Sequence, residues 1–367
     1  MLKYYYPVDD AVVYFINRVN KTENAAYLNR HIAKYPELKK QLEALLSPSI
    51  ELEKQLSLKI RSLDRECDFF FGLDRSVSGS SQPIWSAANL LLGYPAGLGE
   101  TAQGLDELLN SRLALSVESR NKLFLSYLSD LDDTETDGGA ERSADEEDIP
   151  SLIASSKLSS LTRIKLSELY CNFDDHLRRL FEILRPAVEV IDSSVKLYRA
   201  EVERQIQRFD EAGGLGAYMS AYHSFELSAG GGHKAHISVL APHTVNICDG
   251  VFDSMDVYVG CAVVELSRLL YFGNDSEHLT VMFKLLSDKT RLEMLRAISA
   301  RPMYGQELAE MFSVTAPTVS YHMTKLVISG LAESYFDGGK SFFKANAKNL
   351  LALEKSFQDF FDSGKKR

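Results

Sequence analysis

The chain has 367 residues, 45% of them hydrophobic and 25% charged, with a formal net charge of −10. That apolar fraction is ordinary for a globular protein, so wholesale disorder is excluded, and the length suits two or three domains. So acidic a balance excludes a protein that coats nucleic acid non-specifically, because its field would repel phosphate.

Taken in chain order, the start MLKYYYPVDDAVVYF carries Asp9 and Asp10 where a secretory leader would place its apolar core, so a cytoplasmic protein is expected. The apolar stretch 85–99 is too short and too rich in glycine to span a bilayer, and no membrane association is expected. Pro36 opens a helix with Leu38, Leu42, Leu45 and Leu46 at helical spacing. Pro48 is expected to stop that helix, which resumes over 50–63 with Leu52, Leu56 and Ile60. Residues 105–131 read as one long amphipathic stretch or a pair. The segment 130–149 is dense in carboxylates and nearly devoid of apolar residues, and reads as a flexible acidic loop.

Beyond it, 166–184 and 186–209 read as two helices divided by Pro186. The runs 236–240, 244–248 and 256–263, rich in Val and Ile, read as two or three antiparallel strands, followed by a helix over 265–272. His233, His236 and His243 are expected in an exposed loop rather than as a ligand set. The cysteines Cys67, Cys171, Cys248 and Cys261 show no CxxC spacing and read as reduced, buried thiols. The aromatics Tyr4–Tyr6, Phe69–Phe71 and Trp85 fit a plain core better than the wall of an apolar ligand pocket.

From Ser276 the pattern sharpens. A short helix over 277–286 is followed by Ser287-Asp288 capping a helix over 289–299, with Leu292, Leu295 and Ile298 on one side. A third helix, 306–312, is separated by the two-residue turn Ser313-Val314 from a fourth, 316–329, with Thr315 as N-cap and Gly330 as its glycine stop. Strands over 331–336 and 341–345 flank Asp337-Gly338-Gly339-Lys340, a hairpin signal, and a last helix covers 349–361. Helix, tight turn, helix, hairpin is the order of a winged helix-turn-helix. In the fourth helix Val319, Met323 and Leu326 form the stripe to be buried. Pro317, Thr318, Ser320, Tyr321, Thr324 and Lys325 are left on the flanks and opposite face, residue types suited to base edges and phosphates. Thr315 and the free N–H groups beside it suit a phosphate, and Lys340 at the hairpin tip suits the neighbouring DNA backbone.

FKLLSDKTRLEMLRAI (283–298), ELAEMFSVTAPTVSYHMTKLVISGLAES (307–334) and DGGKSFFKA (337–345) resemble the ArsR family of winged-helix transcription regulators. The resemblance covers about a quarter of the chain. It implies a DNA-reading part at Thr315, Pro317, Thr318, Ser320 and Tyr321, Lys340 on the wing, and a fold-supporting role for His322. It further implies dimers that pair through the first and last helices of the module. Many members sense metals through a cysteine pair where this chain has Met303-Tyr304-Gly305-Gln306. Others use histidine-containing pairs on the final helix, where this chain has Glu354, Gln358 and Asp359. Soft and borderline metals want thiolates or imidazoles, so no metal and no cofactor is expected.

The remaining 270 residues carry no HExxH, GxSxG or complete GxGxxG, and an enzyme is not expected. The fold expected is mainly α: a helical N-terminal body with a small β element, plus a C-terminal winged helix-turn-helix domain. Its divisions are a helical region 1–129, the acidic loop 130–149, a sensor or oligomerisation part 150–273 and the winged domain 274–367. The function expected is sequence-specific regulation of transcription, most simply repression. A homodimer would bind operator DNA through the recognition helix 315–329 and wing 336–341, with a possible small-molecule effector in the N-terminal region. The alternative is a winged-helix protein–protein module anchored by Tyr321, Tyr335 and Phe336. Charge divides with the domains: residues 277–367 hold 13 basic against 10 acidic residues, a net of +3, which leaves the rest at −13.

Overall fold

The computed structural model describes residues 2–73, 86–93, 104–131, 148–223, 227, 233–249, 255–271, 276–337 and 340–364. The expected loop at 132–147, Trp85, Gly230–Gly232 and the Gly338-Gly339 turn lie outside the described residues. Among the described residues the fold is mainly helical with two small sheets, and the chain divides into two compact units. The first comprises Met1–Tyr27, Ser47–Val202 and Gly231–Gly260; the second comprises Leu28–Leu46, Glu203–Gly230 and Cys261–Arg367.

Two prolines do not act as expected. Lys39–Lys59 is one helix with Pro48 inside it, and Phe173–Ser193 is one helix with Pro186 inside it. An interior proline costs about 3 kcal/mol. Phe173–Ser193 buries Leu177, Leu180, Phe181, Leu184, Ala187 and Ile191 on both sides of Pro186. Each large side chain there contributes about 1.5–3 kcal/mol, so packing outweighs the local penalty. The break falls instead at Asn172, between helices Ser160–Cys171 and Phe173–Ser193. Residues 105–131 form a pair of helices, Leu105–Leu113 and Val117–Leu131. Asp130 thus belongs to a helix, and Ile149, fully buried, opens the next one, Ile149–Ser155.

The first unit's sheet holds β1 (Lys234–Ser238), β2 (Val245–Asp249) and β3 (Met255–Gly260) in the order β1-β3-β2. The all-antiparallel expectation needs correction: β1 runs parallel to β3, and only β2 is antiparallel to it. Strand β3 enters between the two strands that precede it, so the tight 241–244 turn does not form a hairpin. Gly260 ends β3 where a Cβ would come within 2.4 Å of the Ala241 and Pro242 backbone, and only glycine fits that approach.

The histidine expectation also fails at one position. His236 is buried in β1, with Nδ1 2.8 Å from Asp9 and Nε2 3.4 Å from Asp256, and its ring stacks on Tyr258. Asp10, fully buried beside it, accepts hydrogen bonds from the Tyr5 and Ser238 hydroxyls and from the Val239 and Leu240 amides. Asp9 and Asp10 thus pin helix Pro7–Asn20 to the strand region. Cys67 and Cys261 are buried as expected, whereas Cys171 is exposed. Tyr5, Phe70 and Phe71 belong to the core.

In the second unit, helices Ser276–Leu286, Lys289–Ala300, Gly305–Phe312 and Ala316–Ile328 precede a hairpin of β5 (Ala332–Asp337) and β6 (Lys340–Ala345), and helix Ala347–Gly364 follows. A short β4 (Met303–Tyr304), not foreseen, pairs with β6 and gives the sheet order β4-β6-β5. Met282, Met294, Leu295, Ile298, Met303, Leu308, Val319, Met323 and Leu326 share the core. Leu295 and Ile298 turn inward as expected, but Leu292 is 47% exposed, and Arg291 and Met294 are buried in its place.

Candidate nucleic-acid interface

The corner between the third and fourth helices of the module rests on local chemistry. Ser313 ends helix Gly305–Phe312 in the left-handed region at φ 52°, and its amide bonds back to Ala309 and Glu310. Val314 packs against the core and sets the direction of exit. Thr315 then caps helix Ala316–Ile328: its hydroxyl accepts from the Thr318 amide at 3.4 Å and lies 2.9 Å from the Thr318 hydroxyl. At the far end Gly330 takes φ 70°, which lets the chain turn into β5.

Val319, Met323 and Leu326 are buried, the stripe expected from the sequence. They fix the outward face. Residues 318, 321 and 325 form one row and 317, 320 and 324 the adjoining one, because positions three and four apart share a face. Thr315 and Thr324 are exposed, Thr318, Ser320 and Lys325 are half-buried, and Tyr321 is 51% exposed. Pro317 occupies the second helical position; its side chain lies outside the described residues. Lys340 opens β6 opposite Asp337, and its side chain too lies outside them. The helix face therefore carries Thr315, Thr318, Ser320, Tyr321, Thr324 and Lys325 together.

Two of these act as a pair. The Lys325 ammonium donates to the Tyr321 hydroxyl and stands 4.0 Å from the ring centroid. That hydrogen bond, and the positive charge behind it, holds the Tyr321 hydroxyl below the usual phenol range. A phenol and an ammonium fixed side by side present a donor pair to an acceptor in a groove or on a phosphate. Lys344, by contrast, is tied to Glu333 at 3.0 Å across the hairpin. An exposed pair of that kind is worth about 0–1 kcal/mol.

Beneath the face, Asp288 caps helix Lys289–Ala300 by accepting from the Arg291 amide at 2.9 Å, which holds its carboxyl below the usual range. His322 is buried, with Nδ1 3.8 Å from Asp288, and burial lowers its pKa. Its ring therefore lies beneath the outward face of the helix, packed towards the Asp288 cap. Met303, the first residue of the Met303–Gln306 stretch, lies in β4 with its side chain in the core.

The N-terminal segment is the part of this surroundings that no motif indicated. Tyr35 is buried, with the Lys34 ammonium 4.9 Å and the Lys284 ammonium 5.2 Å from its ring centroid.

Comparison with known proteins identifies the same region. Residues 288–334 match the family described as bacterial regulatory protein, arsR family. An arsenical resistance operon repressor of Staphylococcus aureus is 36% identical over 70 residues, 19% of this chain and 67% of the relative. One from Staphylococcus xylosus is 34% identical over 74 residues, 20% of this chain and 71% of the relative. The HTH-type transcriptional regulator KmtR of Mycobacterium tuberculosis is 33% identical over 72 residues, 20% of this chain and 55% of the relative. No solved structure matches the chain. With a helix-turn-helix of this geometry and relatives of this similarity, the chain belongs to the arsR family of bacterial regulatory proteins, DNA-binding regulators of transcription.

Proposed function

We propose that the protein is a repressor that binds operator DNA as a homodimer, with helix 315–329 in the major groove and wing 336–341 on the flanking backbone. The observation that carries this reading is the outward face of Ala316–Ile328, where short hydroxyls flank the Tyr321–Lys325 pair. Tyr321, Ser320 and Thr324 meet base edges, Thr315 and Thr318 at the helix N-terminus meet a phosphate, and Pro317 sets the first turn. Lys340 meets the neighbouring backbone from the wing. Repression is supported by the relatives named as arsenical resistance operon repressors.

Dimerisation is supported by the first and last helices of the module. Phe283 stands 5.5 Å from Phe357, ring to ring, and Phe283, Phe357, Phe360 and Phe361 remain 40–55% exposed. An aromatic cluster of that kind suits a second copy across a two-fold axis, which places two recognition helices on a palindromic site. The first unit then serves as a sensor or oligomerisation body.

Replacing Ser320, Tyr321 and Lys325 together by Ala should lower affinity for a selected duplex by at least about 100-fold, with the melting temperature unchanged. The wild-type affinity should fall by orders of magnitude between about 50 and 200 mM salt. Binding that survives the triple substitution, or that ignores salt, would point to a protein partner instead.

A further inference from the structure

The first and second helices of the module, Ser276–Leu286 and Lys289–Ala300, are joined by only Ser287 and Asp288, and directional bonds close their junction. Three carbonyls at the end of Ser276–Leu286 are taken in order. Phe283 accepts from the Ser287 amide at 2.8 Å, Lys284 from the Ser287 hydroxyl at 2.9 Å, and Leu285 from Arg291 Nη1 at 2.6 Å. Arg291 is 5% exposed, and its Nη2 stands 3.8 Å from Asp288. Asp288 accepts from the Arg291 amide at 2.9 Å and lies 3.8 Å from Nδ1 of His322, buried on the underside of Ala316–Ile328. One buried cation thus links the end of the module's first helix to the cap that faces the recognition helix.

A guanidinium suits the C-terminal end of a helix, where carbonyls lack partners within the helix. A buried ion pair, however, adds little stability over an apolar side chain of equal volume, and its best-attested use is to fix register. The apolar core beside it, where Met294, Ile298, Val319 and Met323 gather, holds no directional bond that would set an angle. We infer that Arg291 is a positioning residue for DNA reading: through Leu285 and Asp288 it fixes the angle between the helix that carries Phe283 and the recognition helix, and so the half-site spacing that a dimer accepts. The inference rests on the operator-binding dimer proposed above and names what sets its reach. In a two-fold dimer an error in that angle enters twice. One base pair more between the half-sites already moves one of them by about 3.4 Å and turns it by about 35°.

The test uses the full chain, the duplex it selects from a random-sequence library, and two altered duplexes with one base pair added or removed between the half-sites. The wild type should bind the selected duplex at least about 10-fold more tightly than either altered one. R291M, which keeps the bulk and removes the donors, should bring that ratio to about 1–3, and R291K, which keeps a charged donor, should recover part of it. D288N keeps a cap acceptor but loses the charge facing Arg291 and His322, and should lower the ratio less than R291M does. A loss of folded or dimeric protein would weaken binding to all three duplexes alike and leave the ratio where it was, so the ratio separates positioning from stability. A wild type indifferent to spacing would overturn the inference, and so would a wild-type ratio retained in R291M. Should R291M not fold, the same ratio retained in D288N would overturn it. Each of these results leaves operator binding intact. A wild type that selects no duplex with paired half-sites would remove the operator-binding reading and this inference with it.

Discussion

In the winged module Met294, Leu308, Met323 and Leu326 are fully buried, whereas the first unit, beside an apolar core of its own, also buries Asp10, Asp256 and His236. The module's own buried Arg291 bonds to the Leu285 carbonyl, and both Arg291 and His322 lie beside the Asp288 cap, so its ionisable groups gather around one helix end. In the first unit the charged groups form the joint itself, where helix Pro7–Asn20 meets β1 and β3. Apolar packing tolerates change in small steps, because each methylene removed costs about 0.8 kcal/mol. A buried charged joint fails abruptly: removing one partner strands the others without water.

The largest effect expected from this contrast comes from Asp10→Ala. It orphans two hydroxyl and two amide donors and should destabilise the first unit by about 3–5 kcal/mol, read as an early transition in urea or thermal unfolding. A loss below about 1 kcal/mol would show that the joint relaxes as an apolar core does.

Proton linkage gives the next effect. His236 can donate to Asp9 and Asp256 at once only as the imidazolium. Burial alone would lower its pKa, yet the two carboxylates override this and push it up to about 9. A raised folded pKa means stability fully present below the unfolded value of about 6.5 and lost as pH rises through about 9. Glu53, pushed up to about 7 by burial, acts with the same sign at lower pH. The first unit should therefore lose about 3 kcal/mol between pH 6.5 and 9.5. A His236→Gln variant should show much less of that slope, and a wild-type unfolding midpoint independent of pH over this range would refute the assignment.

The smallest expected effect belongs to the module. Thr315→Ala removes one N-cap acceptor and should cost about 1 kcal/mol, visible as a small fall in melting temperature. A cost several times larger would mean that the reading helix depends on its cap rather than on Val319, Met323 and Leu326.

The same contrast explains what could be read in advance. The module's first four helices, its hairpin and its buried stripe follow from signals a few residues apart: Asp288 and Thr315 as caps, Ser313 at the corner, Gly330 at the stop. Leu292 has the spacing of the stripe, yet it is Met294 that fills the core. Strand β4 has only two residues and no periodicity to detect. The prolines misled for a related reason: backbone preference is local, but the burial that overrides it is not.

The sequence by itself determined the winged module, the order of its elements and the residue types on its outward helix face, because caps, turns and helical periodicity act over a few positions. Tertiary structure alone decided that Asp9 meets His236 and Asp10 meets Ser238, that β1 runs parallel to β3, and that Tyr35 meets Lys284. Those pairings join residues more than 200 positions apart in the first and last cases, and contacts at that separation leave no periodic trace. Burial and chain path bring them together, and only there does a buried Asp–His–Asp arrangement become a joint.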